Sequence, residues 1–217
     1  MNWSWDVVSD FMPLFWDGVL VTLQALALGT LIAFSLGLVW AIAQRSRFAF
    51  VRWPVSAITE FIRNTPLLVQ LFFLYFVVPE WGPSMSALTT GIVGLGLHYS
   101  TYTAEVYRSG IGGVPVGQWE AATALSLPRV RTWTAVILPQ AIRRVVPALG
   151  NYVIAMLKDS PMIAVIGALE MLGEARSFSN ATFTSEAYTI VGIAFLVIAY
   201  PASLLIRALE RRLALTS

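Results

Sequence analysis

The residues of this chain that are able to do chemistry are few, and most stand inside apolar sequence. Lys158 and Asp159 are adjacent in the middle of the stretch 145–169, with Ser160 after them. Glu60 and Arg63 are three apart, followed by Asn64, and Glu105 and Arg108 repeat that spacing, which puts each pair on one helix face. Tyr99 and Tyr102 share a further face beside His98, and Asn151 and Tyr152 precede Lys158 by two turns. None of this suits covalent catalysis, because no nucleophile stands with a base. There is no cysteine and only one histidine, which argues against thiol chemistry and a His-based metal site. Lys158 is the sole lysine and follows Leu157, so the chain lacks the Gly-Lys-Ser/Thr loop that cradles nucleotide phosphates. What remains is non-covalent recognition by opposite charges, hydroxyls and aromatic faces, with no cofactor held by this chain.

The elements that must position these groups are apolar helices. Of the 217 residues 57% are hydrophobic and 12% charged, with a mean hydropathy of +0.72. A soluble domain carries about 25% charged residues, so this chain is neither disordered nor able to coat a soluble surface. It reads as one all-α integral membrane domain over residues 1–217 with five spans: 18–44, 58–78, 86–104, 145–169 and 187–206. The second span reaches full length only by drawing Glu60 and Arg63 towards the membrane. Lys158 and Asp159 each cost about 2.5–3.5 kcal/mol at a helix centre, so they must face protein or water. As helix neighbours they project about 100° apart and cannot neutralise each other. Pro161 lacks an N–H, so the helix should break or kink there and expose backbone polar groups to a ligand.

Net charge is +2, and the placement of the arginines is a topology signal rather than a nucleic-acid patch. Arg45, Arg47 and Arg52 follow span one. Arg108, Arg129, Arg131, Arg143 and Arg144 lie between spans three and four, and Arg207, Arg211 and Arg212 follow span five. Five spans put all three groups on one side, which is then cytoplasmic, with the N-terminus outside and the C-terminus inside. Trp3, Trp5, Phe11, Phe15 and Trp16 read as an aromatic belt at the outer face. The first residues, from Met1 to Asp6, carry no basic n-region, which argues against a cleaved signal peptide. Residues 48–62 should begin as an interfacial helix, and Gly29, Gly37, Gly91, Gly94 and Gly96 should permit close helix packing.

The loop between spans three and four, about 109–142, is the least ordinary segment. Gly110, Gly112, Gly113, Pro115 and Gly117 should break the helix and make a turn. Residues 118–125 form a strong helix sequence, which Leu127-Pro128 interrupts. A second short helix, 129–138, should place Val130, Trp133 and Ile137 on one face before a break at Pro139. Two short helices with aromatic knobs suit either an interfacial hairpin or a docking surface for a partner.

Glu120-Ala121-Ala122, then Ser126, then Val136-Ile137-Leu138-Pro139 resembles the EAA loop of ABC importer permeases: EAA, three residues, Gly, nine residues, Ile, one residue, Leu-Pro. Ser126 stands where Gly is usual and Val136 where Ile is usual. The flanking Gly117-Gln118-Trp119 and Pro139-Gln140-Ala141, the run from Glu60 to Gln70 and the run from Lys158 to Gly167 resemble the polar amino-acid branch. Asn64 (for Gly) and Pro161 depart from it. The resemblance covers nearly the whole chain. It implies a permease in a bacterial cell membrane that pairs with a second permease, the same chain or a homologue. A cytoplasmic ATPase dimer would bind ATP and Mg, a solute-binding protein outside would deliver cargo, and no nucleic acid would take part. It also implies ATPase coupling through Gly117, Trp119, Glu120, Ala121, Ala122, Ser126, Leu138 and Pro139.

A zwitterionic cargo needs a cation for its carboxylate and a carboxylate or π face for its ammonium. Asp159 with Glu60 would take the ammonium, and Arg63 or Lys158 the carboxylate. Asn64, Tyr99, Tyr102, Asn151 and Ser160 complete the expected path. The same charges would serve equally as buried pairs fixing helix packing, and His98 reads as a satisfied packing residue. The expected cargo is a polar amino acid, or a compatible solute such as ectoine. A proton-coupled secondary transporter and a structural membrane subunit are the readings from other classes.

Overall fold

The computed structural model describes residues 3–214; Met1, Asn2 and residues 215–217, the ends of the domain expected over 1–217, lie outside them. The described residues are helical, without a strand. Helices α1 (Trp5–Gln44), α2 (Ala49–Asn64) and α3 (Leu67–Phe72) come first, α3 continuing as a π turn (Phe73–Val77) and a 3-10 turn (Val78–Glu80). Then follow α4 (Ala87–Gly112), α5 (Val116–Ala124), α6 (Arg129–Arg131), α7 (Leu138–Asp159), α8 (Met171–Thr182) and α9 (Glu186–Ala214).

Helix α1 opens on Ser4, whose hydroxyl accepts the Val7 N–H at 3.5 Å. It buries a stripe of small residues, Gly18, Thr22, Ala25, Gly29, Ala33, Gly37 and Ala41, repeating every three or four positions. That stripe lets α4 approach backbone to backbone. A Cβ on Gly37 would strike the Thr103 hydroxyl and come within 2.8 Å of the Ser100 carbonyl. The Thr103 hydroxyl donates to the Ala33 carbonyl at 2.7 Å, and the Trp40 indole N–H donates to Ser100 Oγ at 3.0 Å.

The contacts fix the direction of each helix. Gly29 faces Leu95, Gly37 faces Thr103, and Gln44 accepts from Arg108, so α1 and α4 run parallel. Helix α3 runs against α4 (Leu71 on Gly94, Gln70 on His98), and so does α7 (Val145 on Gly110, Ile163 on Gly91). Helix α9 runs against α7, with Ile206 on Gly150. The chain thus passes along the bundle five times. The ends carrying Arg45, Arg108, Arg143 and Arg207 gather at one end, the grouping that the arginines implied.

Three helical segments are long and apolar enough to cross a membrane, and a fourth counts if α2 and the α3 segment form one bent span. Two of the five spans read from sequence differ from a straight apolar helix. The second expected span is bent by 104° where Thr65 and Pro66 hold extended backbone. The third, α4, has 26 residues but buries Thr90, His98, Tyr99, Ser100, Thr101 and Thr103. A helix enclosed by its neighbours satisfies such groups through them and has no need to be apolar all round.

Other local expectations change as well. Gly110 and Gly112 lie inside α4, and the chain turns only at Gly113–Pro115. Pro139 does not break the chain: Arg129 to Ile166 is one helical rod of 38 residues. Thr132–Ile137 winds as a π turn just before the proline, and such a turn re-satisfies backbone groups that Pro139 would leave unpaired. The extra residue per turn also spoils the expected face: Ile137 is buried but Val130 is 75% exposed. Of the expected aromatic belt, Trp3, Trp5 and Trp16 are exposed, whereas Phe11 and Phe15 belong to a core with Met171 and Ala187. Helix α1 starts at Trp5, so these two rings fall on its inner face.

Helix α8 is held by a buried acid. Glu170 is fully buried, its Oε1 accepts the Gly173 N–H at 2.9 Å, and its Oε2 has no hydrogen-bond partner among the described residues. Burial pushes its carboxyl up to about 7, against the N–H groups of Leu172 and Gly173 and the Thr22 hydroxyl, which favour the charged form. Because this lies above the ordinary 4.5, the folded state holds the proton more tightly than the unfolded chain. The contribution to stability is full below about pH 4.5 and is lost as pH rises through about 7. The thermal midpoint of the purified protein is therefore expected to fall from mildly acidic to mildly alkaline buffer. Glu170→Gln should flatten that fall, and an equally steep fall in the variant would refute the assignment.

Candidate functional site

Two sites emerge on the rod formed by α6 and α7, one near each end. The first lies where α7 gives up α-helical bonding at Asp159 and the rod continues as a 3-10 turn (Ser160–Ile166), a change of winding where Pro161 predicts a break or kink. Asp159 accepts a hydrogen bond from the Tyr99 hydroxyl at 2.7 Å. Around it stand His98, Tyr99 and Tyr102 from α4 and Tyr152 from α7, with adjacent ring centroids 5.2–6.3 Å apart. A half-buried carboxylate beside several π faces is a receptor for a cation. His98 is buried, with its Nδ1 2.9 Å from Gln70 Nε2, as a satisfied packing residue would be. The Gln70 amide also donates to the Ile62 and Thr65 carbonyls at 2.7 and 2.8 Å, bridging the bend between α2 and α3.

The other expected path residues fall elsewhere. Lys158 is exposed and has no partner among the described residues. Ser160 is fully buried and donates to the Leu157 carbonyl at 2.8 Å, which makes it part of the helix end and not of an open path. Glu60 and Arg63 form no ion pair, since Glu60 is exposed while Arg63 is half-buried. They line a polar cavity of about 30 Å³ with Gln44, Thr59, Glu105 and Arg108. Arg108 pairs with Glu105 at 3.3 Å and with Gln44 Oε1 at 2.9 Å, the pairing that the spacing suggested. Asn64 is exposed at the end of α2. Asn151 lines a different cavity with Gln118 and Arg144. The structure therefore joins Tyr99, Tyr102, Tyr152 and Asp159, touches Arg63 where the Tyr102 hydroxyl donates to its carbonyl at 3.5 Å, and leaves Lys158, Asn64 and Asn151 outside. Gln70 was missed; its one signal was a lone amide in the apolar run 67–78.

The second site is the loop helix α5. Glu120 is exposed on it, as are Gly117 and Ala121, while Ala122 is buried. Trp119 packs edge-on against Trp133 at 5.3 Å, which seats α5 on the rod. The helix ends in a double cap: Leu127 N–H to the Ala122 carbonyl at 3.0 Å and Ser126 N–H to the Thr123 carbonyl at 2.9 Å. Ser126 has φ 54°, the left-handed conformation that glycine adopts at no cost. The position is therefore a cap, and serine occupies it at about 1–2 kcal/mol. Leu138 and Pro139 are exposed where the rod passes from π turn to α-helix. Val116 on the same helix, Leu125 at its end and Val130 at the start of the rod are exposed as well.

A family described as "binding-protein-dependent transport system inner membrane component" matches residues 25–215. The chain is 46% identical over 202 residues to the probable amino-acid ABC transporter permease protein y4tG of Sinorhizobium fredii, covering 93% of this chain and 87% of that one. It is 33% identical over 208 residues to the probable glutamine ABC transporter permease protein GlnM of Bacillus subtilis, covering 95% and 96%. It is 30% identical over 215 residues to the arginine transport system permease protein ArtQ of Bacillus subtilis, covering 98% of each. Its fold is similar to a crystal structure of an amino acid ABC transporter with histidines, at a TM-score of 0.92 and 35% identity, covering 98% of this chain and 100% of that one.

Proposed function

We propose, on the premise that this chain belongs to the family of binding-protein-dependent transport system inner membrane components, that it is the permease component of an amino-acid ABC importer. It is a multi-pass protein of the bacterial plasma membrane and a transport subunit rather than an enzyme. ATP and Mg would be held by a cytoplasmic ATPase dimer, cargo would come from a solute-binding protein outside, and a second permease would complete the path. The basic end of the bundle would then be cytoplasmic. Since the named relatives are amino-acid permeases, an amino acid is favoured over a compatible solute.

The observation that carries the reading is the continuity of the rod. Helix α5, with Glu120 outward, is pinned to Trp133 near the start of a helix that runs unbroken to Asp159 and on to Ile166. Closure of two ATPases on Glu120 and the apolar side chains around it would push α5, and the rod would carry that push to the Asp159 cluster. There the carboxylate and the Tyr99, Tyr102 and Tyr152 rings would hold the ammonium of the cargo. Lys158, exposed and without a partner among the described residues, would meet its carboxylate or an acidic group of the second permease.

Uptake in proteoliposomes tests this. The chain, its neighbouring permease, ATPase and binding protein are reconstituted and offered histidine, arginine, glutamine, glutamate and ectoine. Uptake of an amino acid is expected to require both ATP and the binding protein. Uptake driven by a proton gradient alone would replace the reading with secondary transport.

A further inference from the structure

At the basic end of the bundle a cavity of about 740 Å³ opens between three elements, within the size range of small-molecule sites. Helix α5 contributes Gln118, α7 contributes Gln140, Arg143, Arg144 and Asn151, and α9 contributes Glu210. Arg144 and Glu210 are exposed, and neither forms an ion pair or hydrogen bond with any described residue. Of the three charges that line the cavity, Arg144 and Glu210 do not neutralise each other, and together they complement a ligand that carries both signs. The amides supply the remaining donors and acceptors.

The cavity is also mechanically placed. Gln140 Nε2 lies 3.2 Å from Gln118 Oε1 and donates to the Val136 carbonyl at 2.8 Å, tying α5 to the rod. The Arg144 guanidinium lies against Gly113, at the turn that leads into α5. Asn151 adjoins Tyr152 in the chain, but the lining includes none of Tyr99, Tyr102, Tyr152 and Asp159, so this is not the aromatic site.

We infer that this cavity is a second, inner binding site for a free amino-acid zwitterion, with Arg144 on the carboxylate and Glu210 on the ammonium. Its occupancy clamps α5, α7 and α9 together and slows the movement of α5, so that accumulated product restrains its own import. The ligand class rests on the importer reading above.

The test uses the whole complex in proteoliposomes with ATP inside and binding protein outside. Initial uptake is compared for empty lumens and lumens preloaded with millimolar unlabelled L-glutamine or L-arginine, whichever amino acid the empty-lumen vesicles import. Preloading is expected to slow uptake about fivefold. In Arg144→Gln and in Glu210→Gln, the loaded and empty rates of the same variant should agree. An equal rate in loaded and empty wild-type vesicles, or undiminished slowing in both variants, overturns the inference.

Should empty-lumen vesicles import nothing, the importer reading fails, and direct binding still decides the site. Labelled L-arginine or L-glutamine bound by the ATPase-containing complex in nanodiscs should be lost in Arg144→Gln and Glu210→Gln and kept in Asp159→Asn. Binding that survives both cavity variants, or no binding because the ATPase fills the cavity, overturns it.

Discussion

Glu120→Lys is expected to abolish ATP-driven uptake and to release the ATPase from the complex while leaving the permease folded. Glu120 is exposed and has no partner among the described residues, so the fold of this chain does not depend on its charge. Its surroundings are those of an interface. Val116, Leu125 and Val130 are 70%, 72% and 75% exposed, apolar surface that would exclude water from a central charge once covered. Loss of a desolvated charge contact costs about 2–5 kcal/mol, and reversal adds repulsion, so the fall in coupled uptake should be on the order of 100-fold or more. Uptake and ATPase co-purification are read beside the thermal midpoint of the permease alone. Normal ATPase association with an unchanged midpoint would refute the docking role. Trp119→Ala should give a milder form of the same defect, because it unseats α5 from Trp133 without altering the docking face.

The loop was legible because its signals are local. Glu120-Ala121-Ala122 and Leu138-Pro139 keep their spacing whatever the rest of the chain does, and the substitution at Ser126 falls on a single left-handed cap. The gathering of the arginines at one end of the bundle was legible for another reason: arginines are costly in lipid. What failed were inferences that treated one residue type as a sufficient cause. Proline was read as a break at 139, yet a π turn absorbs it. Glycines were read as breaks at 110 and 112, yet Gly110 is buried in α4, where a Cβ would clash with Val145. The cluster around Asp159 was legible only in part, because it depends on which helices meet. Tyr99 and Asp159 are 60 positions apart and touch only because α7 runs antiparallel to α4. Glu60 and Arg63 share a helix turn and line one cavity, yet they form no ion pair.

That same antiparallel contact carries the second large effect. Asp159→Asn is expected to lower amino-acid uptake on the order of 100-fold with the ATPase still bound and the binding protein still docking. Asparagine keeps an oxygen where the Tyr99 hydroxyl donates at 2.7 Å, so the helix contact survives. What it removes is the negative charge facing Tyr99, Tyr102 and Tyr152, and with it the charge-assisted bond to a cargo ammonium. Such a bond is worth about 1.5–3 kcal/mol, up to roughly 100-fold in rate. Tyr99→Phe should have the smaller effect, about tenfold, because it keeps the π face and removes only the hydroxyl that orients the carboxylate. The two variants separate recognition from support. A structural Asp159 would lower the thermal midpoint of Asp159→Asn and the yield of assembled complex along with uptake. A cargo-binding Asp159 leaves both in place, raises the concentration of amino acid needed for half-maximal stimulation of the ATPase, and leaves ATP hydrolysis without cargo as it was. Uptake by Asp159→Asn within twofold of the parent chain would remove Asp159 from the path and leave the aromatic cluster as helix packing.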